Sequence, residues 1–188
     1  HAPEKYGIYQ SVGDTSGPGG IVRAMRTIPM YEEIAENIKN YCPDAWVINY
    51  TNPMTLCVKT LYRVFPQIKA FGCCHEVFGT QKVIADALDK VLGIKDAERH
   101  EIKVNPVAVN HFTWITEATY KNMDLFPVYE KYAEMHDSFA NENVDKNWMN
   151  NSFVCHDKVK IDLFKRYGYI AAAGDRHLAE FCEGKWYL

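Results

Sequence analysis

The sequence predicts an α/β protein: the second half of a doubly wound domain over residues 1–95, followed by part of an α+β domain over residues 96–188. Two observations predict it. Before Gly93, two short apolar runs, Ala45–Tyr50 and Ile68–Cys73, alternate with segments of helical period, as in parallel sheets covered on both faces. After residue 100, "HEIKVNPVAVNHFTWITEATY" changes to β-rich alternation and then returns to helical segments.

The elements follow in order. "SVGDTSGPGG" carries four glycines and reads as a loop. A helix is expected from about Ile21 to Asn40, broken or kinked at Pro29. The strand Ala45–Tyr50 stops at Thr51-Asn52-Pro53, and Pro53 suits the first turn of a helix to about Phe65, capped by Asn52 or Thr51. After the strand Ile68–Cys73, a helix runs from Glu76 to Leu92 and ends at Gly93. One or two strands fill 100–120, and helices are expected over Pro127–Phe139 and Asp157–Arg166. "NENVDKNWMNNS" reads as a loop or exposed helix end, and "GYIAAAGDRHLAEF" as a small-residue turn opening a last helix. Ligands of doubly wound sheets sit beyond the carboxyl ends of the strands, so Asn52 and Cys74-His75 are expected to face one crevice.

Composition narrows the function. The 188 residues are 47% hydrophobic and 24% charged, which is ordinary for a globular protein with one sizeable core. A net charge of -3 offers no basic excess for phosphates, so nucleic acid is not an expected partner. The apolar runs are too short to span a bilayer, and no signal peptide is seen at the start. The six cysteines have irregular spacing and no CxxC, so Cys42, Cys57 and Cys182 read as buried free thiols in a reducing, cytoplasmic compartment.

Three clusters could carry chemistry. Cys74 and His75 precede a helix; Cys74 with His111, from "VAVNHFTW", would supply two metal ligands and leave positions open for substrate oxygens or water. A packed core cysteine and a satisfied histidine are the alternative. In "GDTSGPGG", which matches no phosphate-loop pattern, Asp14 reads as closing an Asx turn; Arg23 and Arg26 then share a helix face and could grip an anion or be solvated. "AGDRHLAEF" gathers Asp175, Arg176, His177 and Glu180, with Asp175 either an N-cap or a general base and Tyr167 and Tyr169 rival proton carriers.

In this order, "YGIYQSVGDTSGPGGIVRAMRTIP", "NYTNPM", "GCCHE", "VNHFTW" and "GDRHLAEF" closely resemble glycoside hydrolase family 4, the NAD-dependent exception among glycosidases. "GCCHEVFGTQ" and "DRHLAEF" look most like its α-galacturonidase branch. The resemblance implies a Rossmann-like domain and a C-terminal domain of the type shared by lactate dehydrogenases and family 4 glycosidases. It also implies a mechanism: NAD+ takes a hydride from C3 of the sugar, a base removes the acidified C2 proton, the aglycone leaves C1, water adds, and the hydride returns. Mn2+ or another divalent ion would chelate O2 and O3. Carried onto this sequence, Cys74 and His111 match the metal ligands, and Asn52, with Thr51, lies at the nicotinamide and substrate. Asp175 is expected to be the C2 base and His75 to stand where some members have an acidic aspartate. Asn110, Arg23, Arg176 and His177 are the remaining expected substrate contacts, the last two suited to a uronic carboxylate.

The family's N-terminal glycine-rich fingerprint and its C-terminal portion are missing. The chain is therefore expected to be a fragment with little or no activity alone, taken from a homo-oligomer, dimer or tetramer, that acts on a small carbohydrate. The competing readings are a 2-hydroxy acid dehydrogenase, which also places Asn-Pro after a strand, and a non-catalytic fragment.

Overall fold

The computed structural model describes residues 2–139, 157–182 and 187. The chain divides into two compact units, His1–Cys74 with Glu180–Leu188, and His75–Ala179. No helix among the described residues is long and apolar enough to cross a membrane.

In the first unit, helix α1 (Gly17–Tyr41) leads to strand β1 (Trp46–Asn49), helix α2 (Met54–Val64) and strand β2 (Lys69–Gly72). The strands pair in parallel, Val47 opposite Ala70 and Asn49 opposite Gly72. This is the α/β order that the two apolar runs predicted. Alternation then decides the faces. Val47 and Ala70 point into a core with Ala35 of α1 and Leu61 of α2, together with Phe65 and Ile68. Trp46, Ile48 and Phe71 point the other way and are exposed. Coverage of both faces was expected; among the described residues α1 and α2 cover one.

Three local readings are corrected. The run Gly17-Pro18-Gly19-Gly20 is not loop but the first turn of α1. Proline presets φ for that turn, and a Cβ on Gly20 would lie 2.5 Å from the Thr15 carbonyl carbon, so only glycine lets loop and helix approach so closely. The helix also continues through Pro29 without interruption. The N-cap of α2 is Pro53 itself, with no side-chain cap, because Asn52 is engaged elsewhere.

The second unit joins helix α3 (Glu76–Leu92) to an antiparallel sheet, β3 (Lys103–Val109), β4 (Phe112–Tyr120), β5 (Met123–Asp124) and β6 (Ile170–Ala171), and to helices α4 (Phe126–Phe139), α5 (Lys158–Tyr167) and α6 (Asp175–Phe181). Strand β4 is central, pairing with β3, β5 and β6. Pro106, which has no N–H to give a ladder, coincides with a register shift in β3. Ile84, Ala87 and Leu88 of α3 share a core with Ile115, Tyr129, Phe164 and Ile170. By packing, then, α3 counts with this unit, whereas the sequence reading joins it to the parallel sheet. Residues 141–152, expected as loop, lie outside the described residues.

The "small-residue turn" is partly a strand. Ala171, Ala172 and Ala173 are buried, Ala171 pairs with Trp114, and the Ala172 N–H donates to the Thr113 carbonyl at 2.8 Å. Methyl-sized side chains let β6 lie close against its neighbours, which gives it no apolar-run signature. Cys57 is buried as expected, but Cys42 is exposed at the end of α1.

Candidate functional site

In the first unit the loop after β1 is built around Asn49. Its buried amide donates to the Thr51 carbonyl at 3.0 Å and accepts from the Thr51 N–H at 3.2 Å, while Tyr31 of α1 donates to the same oxygen. Pinned this way, the loop presents Asn52 to the glycine loop. The Asn52 amide donates to Asp14 at 3.1 Å, the Arg23 guanidinium pairs with the other Asp14 oxygen, and Arg23 Nε donates to the Asn52 carbonyl at 3.3 Å. Asp14, read as an Asx-turn residue, is thus the buried hinge of a closed ring of three residues. The remaining Asn52 oxygen, Oδ1, is buried with no hydrogen-bond partner.

The ring forms one wall of a cleft of about 1080 Å³ that Arg23, Arg26, Tyr31, Thr51 and Asn52 line. Its glycine loop is clamped: Gln10 donates to the Ser16 carbonyl at 2.6 Å and accepts from Gly19 at 2.9 Å, and Glu180 accepts from the Gly13 N–H. Cys73 hangs on β1 through its N–H to the Asn49 carbonyl at 2.9 Å, and its thiol meets Tyr50, a contact that holds the Tyr50 phenol above its ordinary range. Cys74 closes this unit, is half-buried and is free of disulfides.

In the second unit the β3–β4 turn is Asn110-His111. Asn110 takes φ +56, a left-handed value that asparagine tolerates, and both polar atoms of its amide are buried without a hydrogen-bond partner. His111 is buried, and its ring stacks on that of His177. Glu76, in the first turn of α3, faces His177 at 3.8 Å and accepts from the Gly174 N–H, fixing the start of α6. His177 Nδ1 is buried with no hydrogen-bond partner. Arg176 is exposed beside it, and His75 is exposed at the N-cap of α3.

Asp175 is the first residue of α6, and the Gly174 carbonyl before it takes the His177 and Leu178 N–H groups. Its carboxylate caps α5, accepting from the Lys160 N–H at 3.1 Å. A capping carboxylate supplied by a different helix leaves no S/T/D-x-x-E signature to read. Burial pushes its pKa up, backbone donation from Lys160 works against this, and the nearby Asp157 charge adds to it. Tyr167 and Tyr169, the rival proton carriers, are about half exposed.

The structure therefore gathers Arg23, Thr51 and Asn52 in one unit, and Asn110, His111, Asp175, Arg176 and His177 with His75 in the other. Sequence reasoning missed Asp14, Asn49, Glu76 and Lys160 as members of these clusters. Glu76 alone had a signal, a carboxylate in a helix first turn inside a motif.

Known proteins add the following. The model described as family 4 glycosyl hydrolase matches residues 1–90, and that of the family 4 glycosyl hydrolase C-terminal domain matches residues 107–187. An alpha-galacturonidase of Thermoanaerobacterium saccharolyticum is 66% identical over the whole chain, which spans 41% of its length. The crystal structure of a presumed glucosidase from Bacillus subtilis is similar at 50% identity and TM-score 0.89, covering 100% of this chain and 43% of that one. A 6-phospho-beta glucosidase of Thermotoga maritima, solved with manganese, NAD+ and glucose-6-phosphate, shares the fold at 19% identity and TM-score 0.67, over 98% of this chain and 38% of that one.

Proposed function

The chain belongs to family 4 of the glycosyl hydrolases, and from that premise we propose that it forms part of an NAD- and divalent-metal-dependent glycosidase that acts on α-galacturonides. The carrying observation is the 66% identity with an alpha-galacturonidase along the entire chain. The orphaned polar atoms support a ligand at both clusters: Asn52 Oδ1 in one, and the Asn110 amide and His177 Nδ1 in the other. A buried polar atom without a partner costs about 1–3 kcal/mol, a cost that a bound sugar or nicotinamide removes.

No group of three His, Cys, Asp or Glu among the described residues could hold a metal ion by itself. Cys74 and His111, which match the family's metal-binding cysteine and histidine, are the two protein ligands of this reading, with substrate oxygens and water to complete the shell. When bound, NAD+ accepts and returns a hydride and the ion draws electron density from the sugar oxygens.

The chain's own residues do the rest. Thr51 and Asn52 orient the sugar beside the nicotinamide, and Asp14 holds Arg23 in register with them. Asp175 takes the C2 proton, its raised pKa making it a stronger base than an exposed carboxylate. His75 protonates the leaving oxygen, and Arg176 and His177 bind the uronic carboxylate. The same reading sets the enzyme in the cytoplasm as a dimer or tetramer.

The test is hydrolysis of an aryl α-galacturonide by the complete protein, with and without NAD+, Mn2+ and a chelator. Turnover is expected only with both cofactors, with solvent deuterium entering at C2. Turnover indifferent to chelation and to NAD+ removal would sink the reading, as would full metal retention in C74S/H111A.

A further inference from the structure

The proposed base does not sit in a bare pocket. Lys160 is 3% exposed, and its ammonium pairs at 2.9 Å with Asp157, the N-cap residue just before the same helix. Its backbone N–H holds the Asp175 carboxylate. One lysine thus touches Asp175 through its main chain while its side-chain charge is fixed beside it. A buried lysine is rare and needs compensation; here Asp157 provides it.

We propose that Lys160 and Asp157 are positioning residues for Asp175: the first turn of α5 fixes where the carboxylate points, and the pair's opposed charges set how readily it takes a proton. The inference rests on the reading of Asp175 as the C2 base. The charges act in opposite directions on Asp175, Asp157 favouring its protonated form and Lys160 its ionised form. The other titratable groups around it are Glu76 of α3, which bonds the adjoining Gly174, Tyr132 of α4, which senses Asp157, and Arg176 and His177 on its own helix. The backbone donors to the Asp175 carboxylate include Lys160 and its neighbour Val159, both in the first turn of α5. Carboxylate, helix N-terminus and lysine form a unit in which the backbone of the first turn of α5 holds the base.

The test uses the complete protein with NAD+ and Mn2+. It compares the pH profile of kcat/KM for an aryl α-galacturonide, and the titration of the Asp175 carboxyl by 13C NMR, in wild type, K160M, K160R and D157N. Removing the lysine charge is expected to raise the acidic limb and the Asp175 titration together by about one pH unit. D157N is expected to lower both, and K160R to restore both to the wild-type position. An Asp175 titration that stays in place in K160M overturns the inference, whatever the kinetics. If the titration moves but the limb does not, and D175N still exchanges deuterium at C2, the pair tunes Asp175 as inferred and the base assignment is the part that fails.

Discussion

The imidazole of His177 lies flat against that of His111, with ring centroids 4.1 Å apart and planes inclined by 6°. One ring comes from a hairpin turn and the other from the first turns of α6, 66 residues later in the chain. Glu76 faces the outer edge of His177, so a carboxylate, an imidazole and a buried second imidazole stand in sequence. The stack explains why a histidine with one unsatisfied nitrogen stays in place.

His177→Phe separates packing from chemistry. Phenylalanine keeps a ring on His111 and removes both nitrogens. Stability by urea unfolding is expected to change by less than about 1.5 kcal/mol, as in a volume-conserving swap. The kcat/KM for a galacturonide is expected to fall about 100-fold, with loss of a polar contact made to the substrate. An unimpaired H177F would restrict His177 to packing.

Asp14→Asn tests the ring with Arg23 and Asn52. Arg23 is 44% exposed, so the ion pair itself contributes no more than about 1 kcal/mol to stability. Its value is orientation. Asparagine keeps an acceptor for Asn52 and loses the charge that aims Arg23. A KM raised about tenfold with a smaller change in kcat is expected, since about 1.4 kcal/mol of binding is tenfold. An unchanged KM would detach Arg23 from substrate binding.

Much of this was legible in the residues. Two apolar runs and helical periods gave the parallel pair and its helices, because buried strands and amphipathic helices write their burial into the sequence at fixed periods. The ends of elements were less legible. Gly17–Gly20 reads as loop by composition, yet close contact with Thr15 makes those glycines a helix start. Ala171 reads as part of a turn, yet β4 recruits it with Ile170 as a strand. In each case a spatial neighbour, near in the chain for Gly20 and distant for Ala171, overrides local propensity. The site divides the same way. Asn52, His111 and Asp175 stood out by position in motifs. Asp14, Asn49 and Lys160 act through partners from 2 to 38 residues away, which spacing does not encode.

Asp175 also leaves a mark on stability against pH. Its folded pKa lies above the unfolded carboxylate value of about 3.9. Through the interval between the two, the native state binds more protons than the unfolded state, so stability contributed by this group falls as pH rises from the unfolded value to the folded one. It is then constant above that. Asp175→Asn removes the titration and keeps an acceptor for the Lys160 N–H. The wild-type minus D175N difference in unfolding free energy is expected to become less favourable to wild type between about pH 3 and the folded pKa. Urea titrations of both proteins across that interval read it directly, and a difference that grows in favour of wild type would mean the carboxylate is stabilised in its ionised form.

The glycines of the two units make opposite predictions. At Gly20 an added methyl would meet the Thr15 carbonyl carbon at 2.5 Å and its oxygen at 2.7 Å, both backbone atoms that yield only if the loop moves. Gly20→Ala is expected to cost about 1–3 kcal/mol, the range for overpacking, and to shift the loop carrying Asp14. Gly79, in the first turns of α3, has no atom within 4 Å of an added Cβ. Gly79→Ala is expected to stabilise the protein by about 0.4–1 kcal/mol, because alanine has less unfolded-state entropy to lose and a better helix propensity. Urea unfolding of the two variants decides it: equal effects would mean that close contact at Thr15 does not govern the loop, whereas opposite signs, with a raised galacturonide KM in G20A alone, tie the contact to the site.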